Sequence, residues 1–502
     1  MILMMSPVLI VGAGPVGLAL ALQLRRHNVA VRIIDRESGP ARESRSLAVH
    51  ARTLELLGPD LAAEFVAAGQ PIRRIHLRRA PLIASNAELG TMSLDGSPTS
   101  FSFALALGQN RVERIFIDAL ERRGVTVEWN TEFVSLDDPL AADAPFVIGC
   151  DGVGSSVRAA AGIRVAGARD DRWWLLADLA VSGDDVVSRD AALAVLQRGA
   201  LLAMFPLETE PGDDADVRRV IVAGQAHDER PEVDAQVLQA ALTQAVGESI
   251  HIDCVRWFSA FRVREHVADR FRQGRVLLAG DAAHTHSPLG GQGMNLGIHD
   301  AVNLAWKLAL VLDGRADDRL LDSFEAERRP VARQIVAATG RATRLARTAS
   351  PLVTTVRAFV MRRALRLNSV RRVVRTNLQM LTVAYRTSPI VVRSHRSGLR
   401  PGDRVPVIDE PLHRMLTTSN HVALALGPLT PSEQASLESA LVGLPVTLHA
   451  LTTPPAGLDG RSGDLLIVRP DGYLAARGRI DEAPRLIAAW KRASGLGPQQ
   501  PV

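Results

Sequence analysis

Cysteine is scarce in this chain, since only Cys150 and Cys254 occur among its 502 residues and they lie far apart. Two such cysteines exclude a disulfide framework, a zinc cluster and a CxxC redox pair. Long apolar runs are also missing, because no window reaches the roughly 18 uncharged apolar residues of a membrane span. The apolar start, residues 1–11, lacks a basic segment and runs into a glycine turn, which predicts a buried strand and not a signal peptide. We therefore expect a chain without a membrane span in a reducing cytoplasm.

Lysine is nearly absent, with Lys307 and Lys491 the only two, so arginine carries the positive charge. Residues 328–402 contain 17 arginines and no Asp, Glu or Lys, and because the net charge is +5, the remainder carries −12. Two interpretations of this stretch stay open: a solvated or domain-bridging helical face, or a surface for an acidic partner or a membrane. Nucleic acid is not expected as a partner, because the stretch lacks the interleaved aromatic residues of a single-strand platform.

The composition, 47% apolar and 23% charged, is that of a globular protein, and the length favours two or three domains. A βαβ pattern opens the chain, short apolar runs divided by Gly, Asp and Pro follow from about residue 173, and an α/β pattern then returns. The predicted fold is α/β, with a Rossmann-like domain over 1–72, 100–172 and 270–345, an inserted antiparallel β-sheet domain over 73–99 and 173–269, a helical connector over 346–397, and a separate C-terminal domain over 398–502.

A GxGxxG motif lies between the first strand and the first helix: Gly12-Ala13-Gly14-Pro15-Val16-Gly17. Its glycines permit a tight turn, close approach of a pyrophosphate and close helix packing, and the helix N-terminus supplies free N–H groups. An acid that closes the second strand, Asp35, would accept hydrogen bonds from a ribose. The combination predicts a dinucleotide site, with a purely structural glycine turn as the alternative.

Two further motifs follow strands. Gly280-Asp281 precedes a glycine-rich run that opens a long helix, where Asp281 can hold a polyol such as ribityl and the helix N-terminus can stabilise an anionic flavin edge. The alternative is a loop that merely caps the helix. The third motif, with Asp151 before a glycine turn and Arg158 in the next helix, could equally be a capped helix start.

Together these elements resemble the class A flavoprotein monooxygenases, the para-hydroxybenzoate hydroxylase-like family that includes phenol and polyketide hydroxylases. GAGPVG, GCDGVGSSVR and GDAAHTHSPLGGQGMNLGIHDAVNLAWKL carry the resemblance, which is clear over about residues 7–345. It implies FAD held between the α/β and β-sheet domains, NADPH or NADH as a transient co-substrate, and an aromatic substrate hydroxylated with O2 through a flavin hydroperoxide. The C-terminal part resembles the thioredoxin-like domain of larger members, but it has no cysteine. We expect it to pack or self-associate, with its connector arginines in exposed pairs to acidic residues.

The resemblance implies the roles of individual residues. The pyrophosphate would lie at Gly12, Gly14, Pro15, Val16 and Gly17, and the adenosine ribose at Asp35 and Arg36. The family usually has Glu at the position of Asp35, so that contact is looser here.

Around the flavin, the resemblance places Arg45 and Gln109 beside the ring, and Gly280 and Asp281 on pyrophosphate and ribityl oxygens. Asp151 and Arg158 would support both FAD and the nicotinamide. The ring itself would meet a run at the helix start, namely Gly291, Gly293, Met294 and Asn295, with Pro288 on the reaction side. Arg45 and Pro288 are the expected catalytic residues.

The sequence says less about the substrate than about the cofactor. A tyrosine relay in the sheet domain is excluded, because the only tyrosines are Tyr385 and Tyr473. Candidate substrate contacts, each with core packing as its alternative, are Trp173, Trp174, Met204 and Phe205. No metal is expected, because His284 and His286 lack further ligands at metal spacing. A multi-ring aromatic is preferred over a small benzoate, and a monomer or homodimer is expected.

Two rival functions stay open. Epoxidation or Baeyer–Villiger oxidation would use the same activated flavin, and a flavoprotein reductase or dehydrogenase would not activate O2.

Overall fold

The computed structural model of the chain describes residues 6–41, 46–80, 88–183, 187–197, 199–209, 214–225, 234–246, 249–346, 350–394, 396–453 and 458–497. The first third contains, in chain order, β1 (Val8–Val11), α1 (Pro15–Arg26), β2 (Val31–Ile34), β3 (Ala48–Val49), α2 (Ala51–Leu57), α3 (Pro59–Ala68), β4 (Gln70–Ile72), β5 (Arg74–Arg79), β6 (Glu88–Ser93), β7 (Ala104–Ala106), α4 (Gln109–Glu121), β8 (Val127–Glu128), α5 (Pro139–Ala142), β9 (Val147–Gly149) and α6 (Ser156–Ala160).

The middle of the chain contains β10 (Val165–Ser182), β11 (Ala191–Leu196), β12 (Leu201–Pro206), β13 (Val217–Gln225), α7 (Ala235–Val246), β14 (His251–Ala268), β15 (Arg272–Gln273), β16 (Val276–Leu278), β17 (His284–Thr285), α8 (Gly293–Leu312), α9 (Asp322–Ala346), α10 (Pro351–Ala364) and α11 (Asn368–Leu378). The last part contains α12 (Glu410–Leu416), β18 (His421–Leu426), α13 (Pro431–Leu441), β19 (Val446–Leu451), β20 (Asp464–Val468), β21 (Leu474–Arg479) and α14 (Ala483–Ser494).

The first sheet has the strand order β15-β16-β9-β1-β2-β8 and is parallel except at its edge strand β15. All four residues of β1 are buried, as expected for a parallel strand covered on both faces. The chain builds outward from β1 to β2 and β8, and then returns to the other side of β1 with β9. This reversal opens a crevice at the carboxyl ends of β1 and β9, the usual ligand position in such sheets.

The second sheet has the order β17-β14-β10-β13-β12-β11-β5-β6 and is antiparallel except for the β11–β5 pair. Its outer face is covered by α7, whose Leu238 and Leu242 pack against alternate residues of β10 to β13. Its inner face packs against a small sheet, β3-β7-β4, through Leu47, which precedes β3, and Ala104 of β7. It also packs against Leu289 in the loop before α8. The inner face therefore adjoins the crevice.

The C-terminal sheet has the order β19-β18-β20-β21, in which β18 and β19 are parallel and β20 and β21 antiparallel. It joins the first part of the chain through buried charges. The Glu327 carboxylate of α9 accepts hydrogen bonds from Arg469, which follows β20, from Lys307 of α8 at 2.8 Å, and from Ser388 at 2.6 Å. The ions of this junction are fully buried, and none of them is a connector arginine; the connector's Arg386 instead forms a partly exposed pair with Asp403.

Candidate flavin-binding site

Three glycine turns meet at the carboxyl ends of β1, β9 and β16. Gly12 follows β1 with φ +103°, and a Cβ there would lie 2.5 Å from the Cys150 carbonyl oxygen after β9. Gly280 follows β16 with φ +62°, and its Cβ would lie 2.8 Å from the Val16 side chain. The three motifs found far apart in the sequence therefore form one continuous loop surface.

The turn between β1 and α1 distinguishes packing glycines from an open one. A Cβ on Gly17 would lie 1.9 Å from the Gly12 carbonyl oxygen, so this glycine is required for helix packing. A Cβ on Gly14 would meet no atom within 4 Å, although Gly14 is the N-cap of α1. No side chain caps α1 and its first turn carries no acid. The helix thus presents uncapped N–H groups to open space, as a pyrophosphate requires.

Asp35, directly after β2, supports this turn. Its carboxylate accepts hydrogen bonds from the backbone N–H groups of Ala13 at 2.6 Å and Glu37 at 2.9 Å. Each carboxylate oxygen can accept a further hydrogen bond, so a ribose hydroxyl could also donate to Asp35. Arg36 is exposed and lies 3.5 Å from the Glu37 carboxylate.

The Asp151 motif is a capped helix start. The Asp151 carboxylate accepts hydrogen bonds from the Ser155 hydroxyl at 2.6 Å and from the backbone N–H groups of Ser156 at 2.7 Å and Val157 at 3.2 Å. Arg158 donates to the Ala282 carbonyl at 2.9 Å, which ties α6 to the turn after β16. Within the described residues, these two side chains orient the loops.

Asp281 differs from the other acids of the crevice, because its carboxylate has no hydrogen-bond partner among the described residues. The residue is open to solvent on one side, yet protein encloses the remaining sides and raises the pKa of its carboxyl group. A solvent-accessible carboxylate without a protein partner can accept hydroxyl hydrogens from a polyol. Together with the open space at Gly14, this makes the crevice suitable for FAD.

The loop before α8 turns through two glycines, Gly290 with φ +90° and Gly291 with φ +61°. The helix begins at Gly293 with no side-chain cap and no acid in its first turn, so its N–H groups can meet an anionic ring edge. Pro288 is half-buried beside this loop and Met294 is buried.

Asn295 is fully engaged with the protein. Its Oδ1 accepts from the His50 N–H at 2.8 Å and the Thr53 hydroxyl at 2.7 Å, and its Nδ2 donates to the carbonyls of Ala48 and Gly291. The side chain is therefore not available to the flavin ring, and it anchors the start of α8 to α2 instead.

A charged pair behind the Gly280 turn was not predicted. Asp300 of α8 accepts from the Gly280 N–H at 3.0 Å, from His284 Nε2 at 2.6 Å and from Arg328 Nε at 2.6 Å. Arg328 also donates to the Tyr385 hydroxyl at 2.7 Å. These groups hold the turn in place from the side opposite the crevice.

The structure gives few contacts for two residues that were predicted to lie beside the flavin ring, Arg45 and Gln109. Arg45 lies outside the described residues. Gln109 begins α4 and donates to the Glu113 carboxylate at 2.9 Å. His286 is buried, which lowers its pKa to about 4, and its Nδ1 lies 2.6 Å from the Ser287 carbonyl. Among the described residues, no group of three His, Cys, Asp or Glu side chains is arranged to hold a metal ion.

The four candidate substrate residues divide between the two faces of the second sheet. Trp174 and Phe205 lie on the inner face, in clusters that include Leu289 and Leu47 respectively. Met204 is 0% exposed in the core under α7, so its prediction as a substrate contact is wrong. Trp173 is half-buried on the same outer core, with the Arg262 guanidinium 4.7 Å from its ring, so it lies on the face opposite the crevice.

The inner face also carries an ion pair. Arg219 donates to both oxygens of Asp178, at 2.7 and 2.6 Å, and its guanidinium lies 5.3 Å from the Trp257 ring. Its charge is therefore compensated within the sheet. Sequence alternation along β13 places Arg219 on the face of Ile221, but it could not identify the partner across the sheet.

Comparison with known proteins covers the whole chain. Residues 5–339 match the model of a family described as FAD binding domain. The 6-methylpretetramide 4-monooxygenase of Streptomyces rimosus is 34% identical over 526 residues, covering 96% of this chain and 92% of that enzyme. The solved OxyS anhydrotetracycline hydroxylase from Streptomyces rimosus superposes with a TM-score of 0.74 at 30% identity, covering 98% and 99% of the two chains. The Diels-Alderase PyrE3 of the pyrroindomycin pathway superposes with a TM-score of 0.74 at 27% identity and the same coverage.

A search of the described helices found none with the length and apolar character needed to cross a bilayer.

Proposed function

The chain belongs to the FAD-binding family of class A flavoprotein monooxygenases, and from this premise we propose that it hydroxylates a multi-ring aromatic substrate with O2 and NADPH or NADH. When bound, FAD supplies the electron transfer and the oxygen activation. The protein holds the cofactor, orients the substrate and excludes water.

The inner face of the second sheet carries the proposal of a multi-ring substrate. It carries the half-buried Phe205 and, in the cluster that includes Leu289 next to Pro288, the buried Trp174, and the other members of these two clusters are apolar. Its arginine, Arg219, is already paired with Asp178, so it does not offer an uncompensated charge to a small carboxylate. A flat, largely apolar ring system matches this surface, and the related enzymes named for tetracycline precursors support the same class.

The crevice residues have separate tasks in this proposal. The N-termini of α1 and α8 bind the pyrophosphate and the anionic ring edge, and Asp281 accepts from the ribityl chain. Asp35 binds the ribose while Asp151 and Arg158 fix the loops. Pro288 lines the reaction side, and the resemblance assigns Arg45 a role beside the flavin ring.

The remaining parts of the proposal concern the reductant, the domains and the cell. Only one GxGxxG motif occurs, so NADPH or NADH binds transiently over the FAD crevice.

We propose the same four parts of the chain as the sequence predicts, with 398–502 as a thioredoxin-like domain. The two parallel and two antiparallel strands of its sheet support this assignment. Two free cysteines, Cys150 and Cys254, suit the cytoplasm. A monomer or homodimer is proposed.

The test combines three measurements on the FAD-loaded protein with tetracyclic and angular polyketide phenols. Substrate should stimulate NADPH or NADH oxidation, O2 uptake should match it, and one atom of label from 18O2 should enter the product. Reduction of FAD without O2 uptake would identify a reductase and contradict the proposal. Insertion of the oxygen next to a carbonyl or across a double bond would replace hydroxylation by Baeyer–Villiger oxidation or epoxidation.

A second candidate follows from the similarity to a Diels-Alderase, which shows that this fold also accompanies cyclisation. A cyclase would convert its substrate to an isomer of equal mass without consuming NADPH or O2. Product mass therefore separates the two functions in a single assay.

A further inference from the structure

Helix α10 exposes an unusual number of apolar side chains. Fifteen large hydrophobic residues are exposed in the described part of the chain, and nine of them lie between residues 345 and 374. Five belong to α10 itself, namely Leu352, Val353, Val356, Phe359 and Val360. We call these five the α10 stripe. A concentration of this kind marks an interaction surface, because single exposed apolar residues are normally scattered.

The stripe is the second apolar side of a helix that is already packed. On its buried side, α10 places Ala358 and Met361 against Trp174 and Leu196 of the second sheet. On the opposite side, Leu352 is 74% exposed and Phe359 is 62% exposed. A surface helix needs one apolar side to fold onto its domain, so packing within the chain does not explain the second.

Arginines adjoin the stripe within its own segment of the chain. Arg363 lies over the Phe359 ring at 5.5 Å, and Arg366 is exposed just after the helix. Helix α11 continues the pattern with exposed Arg372 beside exposed Val373. The sequence has no Asp or Glu anywhere in residues 328–402, so the charged side chains that this segment contributes to the surface are all cationic.

We propose that the α10 stripe docks on the surface of an anionic phospholipid bilayer. The stripe is convex and one helix wide, and its arginine stems can extend along apolar groups while the guanidinium groups reach phosphates. Anionic headgroups supply the negative charge that this part of the chain lacks. A helix of this kind lies in the interface and does not cross it.

A second copy of the chain is a poorer occupant. In a symmetric dimer each stripe would face the other stripe, because a two-fold contact joins identical patches. The arginines of both copies would then be brought into one interface, and residues 328–402 contain no Asp or Glu to neutralise them. Lipid phosphates meet the same arginines with the opposite charge.

Docking would also place the inner face of the second sheet near the lipid, because α10 covers that face. The inference itself rests on the exposed stripe and its charge, and it does not depend on the proposed reaction. Failure of vesicle binding would therefore leave the hydroxylase assignment intact, and failure of hydroxylation would leave the docking surface intact.

The experiment is flotation of the FAD-loaded full chain with vesicles of equal parts phosphatidylglycerol and phosphatidylcholine, and with vesicles of phosphatidylcholine alone. The wild type should float with the anionic vesicles at low salt and be released as salt rises. Val356→Asp with Phe359→Asp should weaken partitioning about 100-fold, from the loss of two inserted apolar side chains. Arg363→Gln with Arg366→Gln should weaken it about 25-fold, near fivefold for each charge.

The control is Val442→Asp, at an exposed valine that ends α13 far from the stripe in sequence, which should float like the wild type. The flavin absorbance of every variant reports that it has folded. Absence of flotation with anionic vesicles overturns the proposal, as does flotation that neither double variant changes. A wild-type dimer that the aspartate variant dissociates assigns the stripe to a second copy, and binding to an acidic protein without vesicle binding assigns it to a protein partner; both overturn the proposal.

Discussion

The flavin crevice and the C-terminal junction both contain carboxylates, but they differ in burial and pairing: Glu327 and Asp471 of the junction are buried and paired, whereas Asp281 of the crevice is exposed. At the junction, Glu327 accepts from Arg469 and Lys307, and Asn303 links Glu327 to Asp471. In the crevice, Asp281 has no hydrogen-bond partner within the described residues. Buried polar groups are normally paired, as those of the junction are, whereas the exposed Asp281 carboxylate remains accessible to a ligand.

Helix α8 connects the two regions. Its N-terminus faces the crevice, Asp300 in its middle holds the Gly280 N–H, and Lys307 near its end belongs to the junction. Arg328, the neighbour of Glu327 in α9, completes this arrangement by its bond to Asp300. A change at the junction can therefore reach the cofactor loop through a single rigid helix.

The largest expected effect comes from Glu327→Ala. Removing this carboxylate leaves Lys307 and Arg469 buried without their shared counter-ion, which should lower the free energy of unfolding by about 3–5 kcal/mol. Denaturant unfolding followed by circular dichroism measures the change. The matched control is Arg386→Ala, which breaks a partly exposed pair with Asp403 and should lower stability by about 0–1 kcal/mol. Equal losses in the two variants would mean that the junction is not a special source of stability.

The second largest effect is expected at low pH, where protonation of Asp300 should weaken the link between the crevice and the junction. Burial acts to raise the pKa of Asp300, but Arg328 and His284 outweigh it and lower this pKa to about 2. An aspartate in the unfolded chain has a pKa of about 3.9, so the folded state gains stability above that value and loses it as pH falls from about 4 to about 2. The corresponding free energy is about 2–3 kcal/mol. Glu327 should likewise contribute stability that is lost as pH falls. Its burial acts to raise its pKa, but Arg469 and Lys307 outweigh the burial and lower this pKa.

The measurement is the free energy of unfolding between about pH 5 and about pH 3, for the wild type and for Asp300→Asn. The variant should start less stable and lose less stability over this range. A slope equal to that of the wild type would show that Asp300 is not among the groups that titrate with unfolding.

The sequence predicted the motifs well and their internal partners poorly. The three glycine motifs follow strands whose apolar runs are visible in the sequence, and the family and the FAD cofactor predicted from them are confirmed. In contrast, the resemblance placed Asn295 at the flavin ring, and Asp151 at FAD and the nicotinamide with a capped helix start as the alternative. Only the fold shows the protein groups that engage these two side chains. Asp300 and Arg328 were missed because charged residues in a helix normally indicate a solvated face.

The sequence did not show which face of the second sheet each candidate substrate residue occupies. A β-bulge between Trp173 and Trp174 shifts the register of β10, so alternation counted from the sequence does not assign the two tryptophans reliably. Met204 and Phe205 are adjacent and apolar, and both faces of this sheet are covered. Hydrophobic alternation therefore gives no sign of which one turns toward the crevice.

A smaller effect is expected at the crevice itself. Asp281→Ala should weaken FAD binding by about 1–3 kcal/mol, because the polyol loses its acceptor. Asp35→Ala should weaken it less, since the Asp35 carboxylate also serves Ala13 and Glu37 and lies toward the more open ribose end. Isothermal titration of the deflavinated proteins with FAD gives both values, and unchanged affinity in Asp281→Ala would remove this residue from the cofactor site.

The smallest expected effect tests the two faces of the second sheet with adjacent residues. Phe205→Leu removes an aromatic ring from the inner face and should raise the KM for an aromatic substrate about three- to tenfold, the equivalent of about 0.5–1.5 kcal/mol for one ring contact. Met204→Leu conserves volume in the α7 core, so it should cost less than about 1.5 kcal/mol of stability and leave KM unchanged. Steady-state kinetics with the same substrate compares them directly, with flavin content as the check on folding. If Met204→Leu raised KM and Phe205→Leu did not, the substrate would have to lie on the outer face, because neighbouring residues of a strand point to opposite sides.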